Sequence, residues 1–312
     1  MHFVDAETVH RNLDYPYLMD VLQAAHRDAP PTAEHMVSDE PDGGENLFVT
    51  LVGWKRAGGV AVKMVGVFPE NLSLQPPQAS VQGLVALFDP FTGAPQLVAD
   101  GEAMTFRKTA ADSGLGARLL SREDSETLLV VGAGGLAAHV VQAHLAARPS
   151  LRRIRVWNRT QERAEALIAR LNISQVDVAV ARDLDSAVAD ADIISCVTMA
   201  QEPLVKGELL KPGAHIDLIG AYRPDMREAD DAVMARGTIF VDCRNGMKGI
   251  GELSRPVDGG VINWEDINAD FYELVQGSHL GRQSRDEITV FKNVGGGHLD
   301  LFTAIALKDR LA

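Results

Sequence analysis

A run of small residues and a cation just downstream are the groups best suited to chemistry. Gly132-Ala133-Gly134-Gly135-Leu136-Ala137 has the form G-x-G-x-x-A. The first small residue permits a tight turn, and the second lets backbone N–H groups approach a pyrophosphate. The third lets a helix pack on the preceding strand. An anion is then favoured at the helix N-terminus by free N–H groups and the helix dipole. Candidate contacts here are Gly132, Gly134, Gly135 and Leu136. A second group, Trp157-Asn158-Arg159-Thr160, ends the following strand without a carboxylate. A carboxylate there would accept from a ribose 2′-OH. Arg159 instead suits a 2′-phosphate, with Asn158 and Thr160 as further donors. The expected cofactor is NADP(H) rather than NAD(H).

These groups need a frame that repeats strand and helix. Strands are predicted at Thr127–Val131, Ile154–Trp157, Val176–Val180, Asp192–Val197, Ala214–Ile219 and Ile239–Val241, with helices at 136–147, 161–171 and 184–189. This alternation points to an α/β fold with a Rossmann-type, doubly wound parallel sheet. The region before it differs. Tyr15–His26 reads as a helix, Asp28–Glu45 as a loop holding Pro30, Pro31, Pro41, Gly43 and Gly44, and Leu47–Val52, Gly59–Phe68, Gly83–Phe88 and Pro95–Ala99 as strands. Ala103–Leu120 and the segment from Gly295 onward read as helices.

Bulk properties narrow the partners. A 312-residue chain is long enough for two domains. The formal charge of −13 disfavours nucleic acid and anionic membranes. No apolar run has the length of a membrane span, and residues 1–14 lack a signal-peptide core. Cys196 and Cys243 show no metal-ligand spacing, so no metal site is expected. Buried thiols in a cytoplasmic protein are the expectation.

The chain resembles the ornithine cyclodeaminase/μ-crystallin family. The resemblance rests on Val62-Lys63-Met64-Val65, Phe68-Pro69-Glu70-Asn71, Ser80-Val81-Gln82-Gly83, Thr105-Phe106-Arg107-Lys108-Thr109-Ala110-Ala111, the glycine run, Trp157-Asn158-Arg159-Thr160 and Lys211-Pro212-Gly213-Ala214. It rests also on Arg223-Pro224-Asp225-Met226-Arg227-Glu228 and Asp286-Glu287-Ile288-Thr289. It implies an α+β substrate-binding and dimerisation domain over 1–115, completed by 293–312, around a Rossmann domain over 116–292. A homodimer and a small imino- or amino-acid substrate follow from it. Lys63 and Lys108 are the implied ligands of the substrate carboxylate. Lys108 stands where the family pattern has arginine, and Arg107 lies one place out of register. Further cofactor contacts are expected at Ser80, Thr109, Val197, Thr198, Gly220, Ala221 and Asn293.

Cyclodeaminases carry an aspartate two residues after the glycine that ends the fifth strand. Here Tyr222 takes that place, and Asp225 lies three residues on. A phenol with a reference pKa of about 10 is a poor base at neutral pH. The Arg223–Glu228 run and Asn293-Val294-Gly295-Gly296-Gly297-His298-Leu299-Asp300 resemble the ketimine-reductase side of the family instead. The implied reaction is NAD(P)H-dependent reduction of Δ1-pyrroline-2-carboxylate or Δ1-piperideine-2-carboxylate to L-proline or L-pipecolate. Tyr222 and His298 are candidate proton donors. Alternatives are ornithine cyclodeamination, an alanine-type amino-acid dehydrogenase, and a weakly catalytic NADP-dependent binding protein. His35, in the segment read as a loop, is a further candidate for the carboxylate.

Overall fold

The structure, a computed structural model, describes residues 2–76 and 78–312. Two compact units divide the chain. One runs to Lys108 and resumes at Gly295; the other is Thr109–Val294.

The first unit opens with strand β1 (His2–Val4) and helices α1 (Ala6–Asn12) and α2 (Tyr15–Ala25). Asp14 caps α2 by accepting from Tyr17 N at 3.0 Å, and Pro16 fits the first turn, where no N–H is needed. Strands β2 (Thr32–Asp39), β3 (Leu47–Lys55), β4 (Gly59–Val67), β5 (Val81–Phe88) and β6 (Pro95–Asp100) follow. The sheet order is β1-β6-β5-β4-β3-β2, antiparallel except for the β1–β6 pair. The C-terminal helix, Gly297–Leu311, covers one face of it. Gly297 is where helix and sheet touch: a Cβ there would fall 2.5 Å from Val52 O. Only glycine lets the helix start so close to β3.

One expectation fails here. Residues 28–45 are not all loop, because β2 pairs with β3 along its whole length. Pro30, Pro31 and Pro41 lie outside the strand, and β2 is an edge strand with mostly exposed residues. Exposure removed the apolar alternation by which strands are read, and the flanking prolines completed the disguise.

Helix α3 (Gly101–Leu120) begins where Asp100 Oδ1 accepts from Ala103 N at 2.8 Å. The division between the units falls within it, after Lys108. The second unit contains β7 (Thr127–Val131), α4 (Ala137–Ala147), β8 (Arg153–Trp157), α5 (Gln161–Arg170), β9 (Asp177–Val180), α6 (Leu184–Asp190), β10 (Ile193–Cys196) and β11 (His215–Leu218). Then come α7 (Asp231–Arg236), β12 (Thr238–Val241), α8 (Gly251–Asp258), β13 (Ile267–Ala269), α9 (Phe271–Gln276) and β14 (Thr289–Lys292). The order β13-β12-β14-β11-β10-β7-β8-β9 is parallel throughout. Strands β7, β10, β11 and β14 are buried on both faces, as helices on both sides of a parallel sheet require. The order reverses between β7 and β10. Ligands of such sheets bind beyond the carboxyl ends of the strands at that point.

Candidate functional site

In the first unit, three elements bring charge together. Alternation along β4 puts Ala61, Lys63 and Val65 on one face, and all three are buried. Lys108 comes from α3 and Asp300 from the C-terminal helix. Lys108 Nζ lies 2.7 Å from Asp300 Oδ1 and donates to Gly296 O at 3.2 Å. Lys63 Nζ stands 4.0 Å from the same Oδ1 and donates no hydrogen bond among the described residues. Burial pulls the Lys63 pKa down to about 8, with the Lys108 charge adding to the pull and Asp300 opposing it. Two ammoniums share one carboxylate, which leaves one positive charge and unspent N–H donors in a buried place. An organic monoanion fits that balance.

Arg107 points elsewhere. Its Nε donates to His10 Nδ1 at 3.0 Å and its Nη2 to His10 O at 2.9 Å, with the guanidinium 4.7 Å above the Tyr15 ring. It anchors α3 to the N-terminal helices and leaves Lys108 as the cation beside Lys63. His298 is buried, its ring edge-on to His26 and Phe302. Burial, then His26 and Lys108, hold its pKa well below the usual histidine range. That direction favours the neutral imidazole, whose N–H can still donate a hydrogen bond. His35 lies in β2 opposite Leu51, not in a loop. Ser80 is half-buried, and its carbonyl accepts from Phe68 N at 2.7 Å. Sequence reasoning quoted Asp300 but gave it no role. The signal was there: a carboxylate between Leu299 and Leu301 in an apolar helix needs a cation.

In the second unit, β7 runs into the glycine turn. Ala133 N donates to Asn158 Oδ1 at 3.2 Å, and Asn158 Nδ2 donates to Thr160 O at 2.8 Å. Asn158 therefore holds the two loops together. Gly134 and Gly135 are exposed, Leu136 begins α4 with no side-chain cap, and a Cβ on Gly134 would meet nothing within 4 Å. The turn is open, and the first N–H groups of α4 face no capping side chain, as a pyrophosphate would require. Arg159 is exposed, with no ion pair or side-chain hydrogen bond among the described residues. Thr160 stands at the α5 N-cap, yet its hydroxyl makes no capping bond.

The remaining candidates sit at strand ends. Val197 N donates to Val131 O at 2.9 Å, which joins the ends of β10 and β7. Thr198 N and Gly220 N both donate to Glu228, at 2.6 and 2.7 Å. Ala221 is fully buried. Asn293 Nδ2 donates to Thr109 O and Ser113 Oγ, both at 3.1 Å. Tyr222 is 50% exposed. Asp225 is spent on Arg223 Nε at 3.0 Å and Gln201 Nε2 at 2.9 Å, and these partners hold its carboxyl below the usual range despite some desolvation. No helix among the described residues is long and apolar enough to cross a membrane.

The model of the ornithine cyclodeaminase/mu-crystallin family matches residues 5–312. A Δ1-pyrroline-2-carboxylate reductase of Paracoccus denitrificans is 47% identical over 252 residues, covering 80% of this chain and 79% of the relative. The ketimine reductase mu-crystallin of Mus musculus is 37% identical, covering 74% and 70%. A Thermococcus litoralis Δ1-pyrroline-2-carboxylate reductase, solved with NADH and L-proline, superposes with a TM-score of 0.91 at 25% identity, covering 99% and 97%. With its Rossmann sheet, glycine turn and whole-length match, this chain belongs to the ornithine cyclodeaminase/mu-crystallin family.

Proposed function

We propose that this protein is a nicotinamide-dependent reductase of cyclic imino acids, acting on Δ1-pyrroline-2-carboxylate or its six-membered homologue to give L-proline or L-pipecolate. The observation that carries this reading is the buried Lys63–Asp300–Lys108 group, whose single excess positive charge suits one substrate carboxylate. The activities named for the Paracoccus and mouse relatives support it. The dinucleotide, when bound, supplies hydride to the imine carbon. Gly132, Gly134, Gly135 and Leu136 would hold its pyrophosphate. Lys63 keeps its donors for the substrate, while Lys108 has already committed two partners. Reduction of C=N consumes one hydride and one proton. The half-exposed Tyr222 phenol is the candidate group to orient or protonate the nitrogen; the His298 imidazole, its pKa held low, is suited to donating a hydrogen bond rather than a proton.

Ornithine cyclodeamination needs a base for the substrate amine. Tyr222 stands in its place, and Asp225 is tied to Arg223 and Gln201. An imine substrate is already oxidised and needs no such base. The test is consumption of NADPH with Δ1-pyrroline-2-carboxylate and formation of L-proline; no product with either ring size would refute the proposal.

The same reading extends to cofactor, assembly and location. Unpartnered Arg159 favours NADP(H). Residues 1–108 with 295–312 would form the substrate-binding and dimerisation domain. Its sheet face opposite the C-terminal helix exposes Met36 (58%), Phe48 (46%) and Trp54 (57%). We assign a second copy of the chain to this apolar face, since a lone surface rarely leaves such groups to water. The unpaired, buried Cys196 and Cys243 accord with the cytoplasm.

A further inference from the structure

Glu228 is fully buried and belongs to the segment that follows β11. Its Oε1 accepts from Thr198 N at 2.6 Å and Thr198 Oγ1 at 2.9 Å; its Oε2 accepts from Gly220 N at 2.7 Å. Thr198 and Gly220 lie just beyond the ends of β10 and β11, which are neighbours in the sheet. Their backbones are in contact there. A Cβ on Gly220 would fall 1.7 Å from Thr198 O, so no other residue fits. Glu228 is itself held: its N–H and that of Ala229 donate to Glu252 of α8 at 2.7 and 3.1 Å. Lys292 Nζ, buried in β14, donates to Leu218 O and Ile219 O, both at 3.1 Å.

We propose that Glu228, in its ionised form, is a positioning residue that fixes the ends of β10 and β11 in the shape that receives the nicotinamide half of the dinucleotide. This rests on Thr198 and Gly220 being dinucleotide contacts, as proposed above. The strand order places the Arg159 end of the ligand over β8 and the opposite half over β10 and β11. All three groups aimed at the Glu228 carboxylate are donors. An ionised carboxylate accepts from all of them. A glutamine would turn its NH2 against one of these N–H groups, and a protonated Glu228 would do the same with its O–H.

Burial pushes the Glu228 pKa up to about 7; Lys292 opposes this, Glu252 adds to it, and the Thr198 and Gly220 N–H groups oppose it. Cys196 of β10 also faces this cluster, with its thiol held neutral by burial. The charges of Asp217 in β11 and Asp242 beyond β12 also act on Lys292, and that of Arg227 acts on Glu252.

The test compares NADPH with 2′-phospho-ADP-ribose, which carries the 2′-phosphate and the same pyrophosphate diester but no nicotinamide. Both are titrated into the full-length protein and into Glu228→Gln. The variant should bind NADPH about tenfold or more weakly, with the fragment within about twofold of the unmodified protein. In the unmodified protein, the ratio of the NADPH to the fragment dissociation constant should rise as pH falls through about 7. Titration of the 2′-phosphate cancels in that ratio, and the variant should show a flat profile. Should the variant fail to fold, the pH series on the unmodified protein decides alone. Equal weakening of both ligands, or a ratio that ignores both substitution and pH, would overturn the proposal. If the unmodified protein binds neither ligand, the dinucleotide reading falls and this proposal with it.

Discussion

In the proposed site, the first unit would meet the substrate's negative charge with ammonium groups carried by a strand and a helix, balanced by a carboxylate from a third element. The second would meet the dinucleotide's with backbone N–H groups of one turn and the exposed guanidinium of Arg159. Lys63 and Lys108 are buried beside Asp300 and share its one carboxylate as counter-charge. Arg159 is solvated, and the glycine turn is held by backbone bonds and Asn158. A buried side-chain site should therefore fail sharply, and with pH, when one member is removed. A backbone site with a solvated cation should lose selectivity while keeping its fold.

Asp300→Asn breaks this comparison most severely. It leaves Lys63 and Lys108 as buried cations without a counter-charge and should cost about 3–5 kcal/mol of stability. Urea unfolding would check it, and a loss below about 1 kcal/mol would mean the lysines are more solvated than their burial indicates. Lys63→Ala should raise the KM for the imino acid by roughly ten- to hundredfold and leave the NADPH dissociation constant unchanged. A matching loss of dinucleotide affinity would erase the distinction between the units.

The second unit was the more legible in the sequence, because its glycine turn is contiguous. The turn from Gly132 to Ala137, with a strand before it and a helix after it, states its chemistry in six residues. Lys63, Lys108 and Asp300 come from distant parts of the chain, and nothing local in the sequence joins them. Resemblance picked out the two lysines, but not the carboxylate that sets their charge. Glu228 stayed hidden for the same reason: its partners, Thr198 and Gly220, become neighbours only when β10 and β11 pair. Strand β2 was missed because an exposed edge strand lacks the alternation that marks buried ones.

Smaller effects sharpen the contrast. Below about 8 the Lys63 ammonium is charged; as pH rises through that value it is lost. The KM for the imino acid should thus climb above about 8 in the unmodified protein and stay flat in Lys63→Ala. Arg159→Ala should abolish a roughly ten- to hundredfold preference for NADPH over NADH while preserving turnover with NADH. Equal affinities in the unmodified protein would contradict the role of Arg159. Smallest in its effect on chemistry, Trp54→Glu should shift the protein toward monomer in sedimentation, with its fold intact. An unchanged oligomeric state would place the interface elsewhere.

The central claim is that this site reduces imines and lacks the base that deamination demands. Its most direct measurement is ammonia release from L-ornithine with catalytic NAD⁺, run beside NADPH-dependent reduction of Δ1-pyrroline-2-carboxylate on the same protein. With Tyr222 in place of the aspartate and Asp225 bound to Arg223 and Gln201, the account predicts rapid reduction and no ammonia above background. Robust ammonia release from ornithine would contradict it.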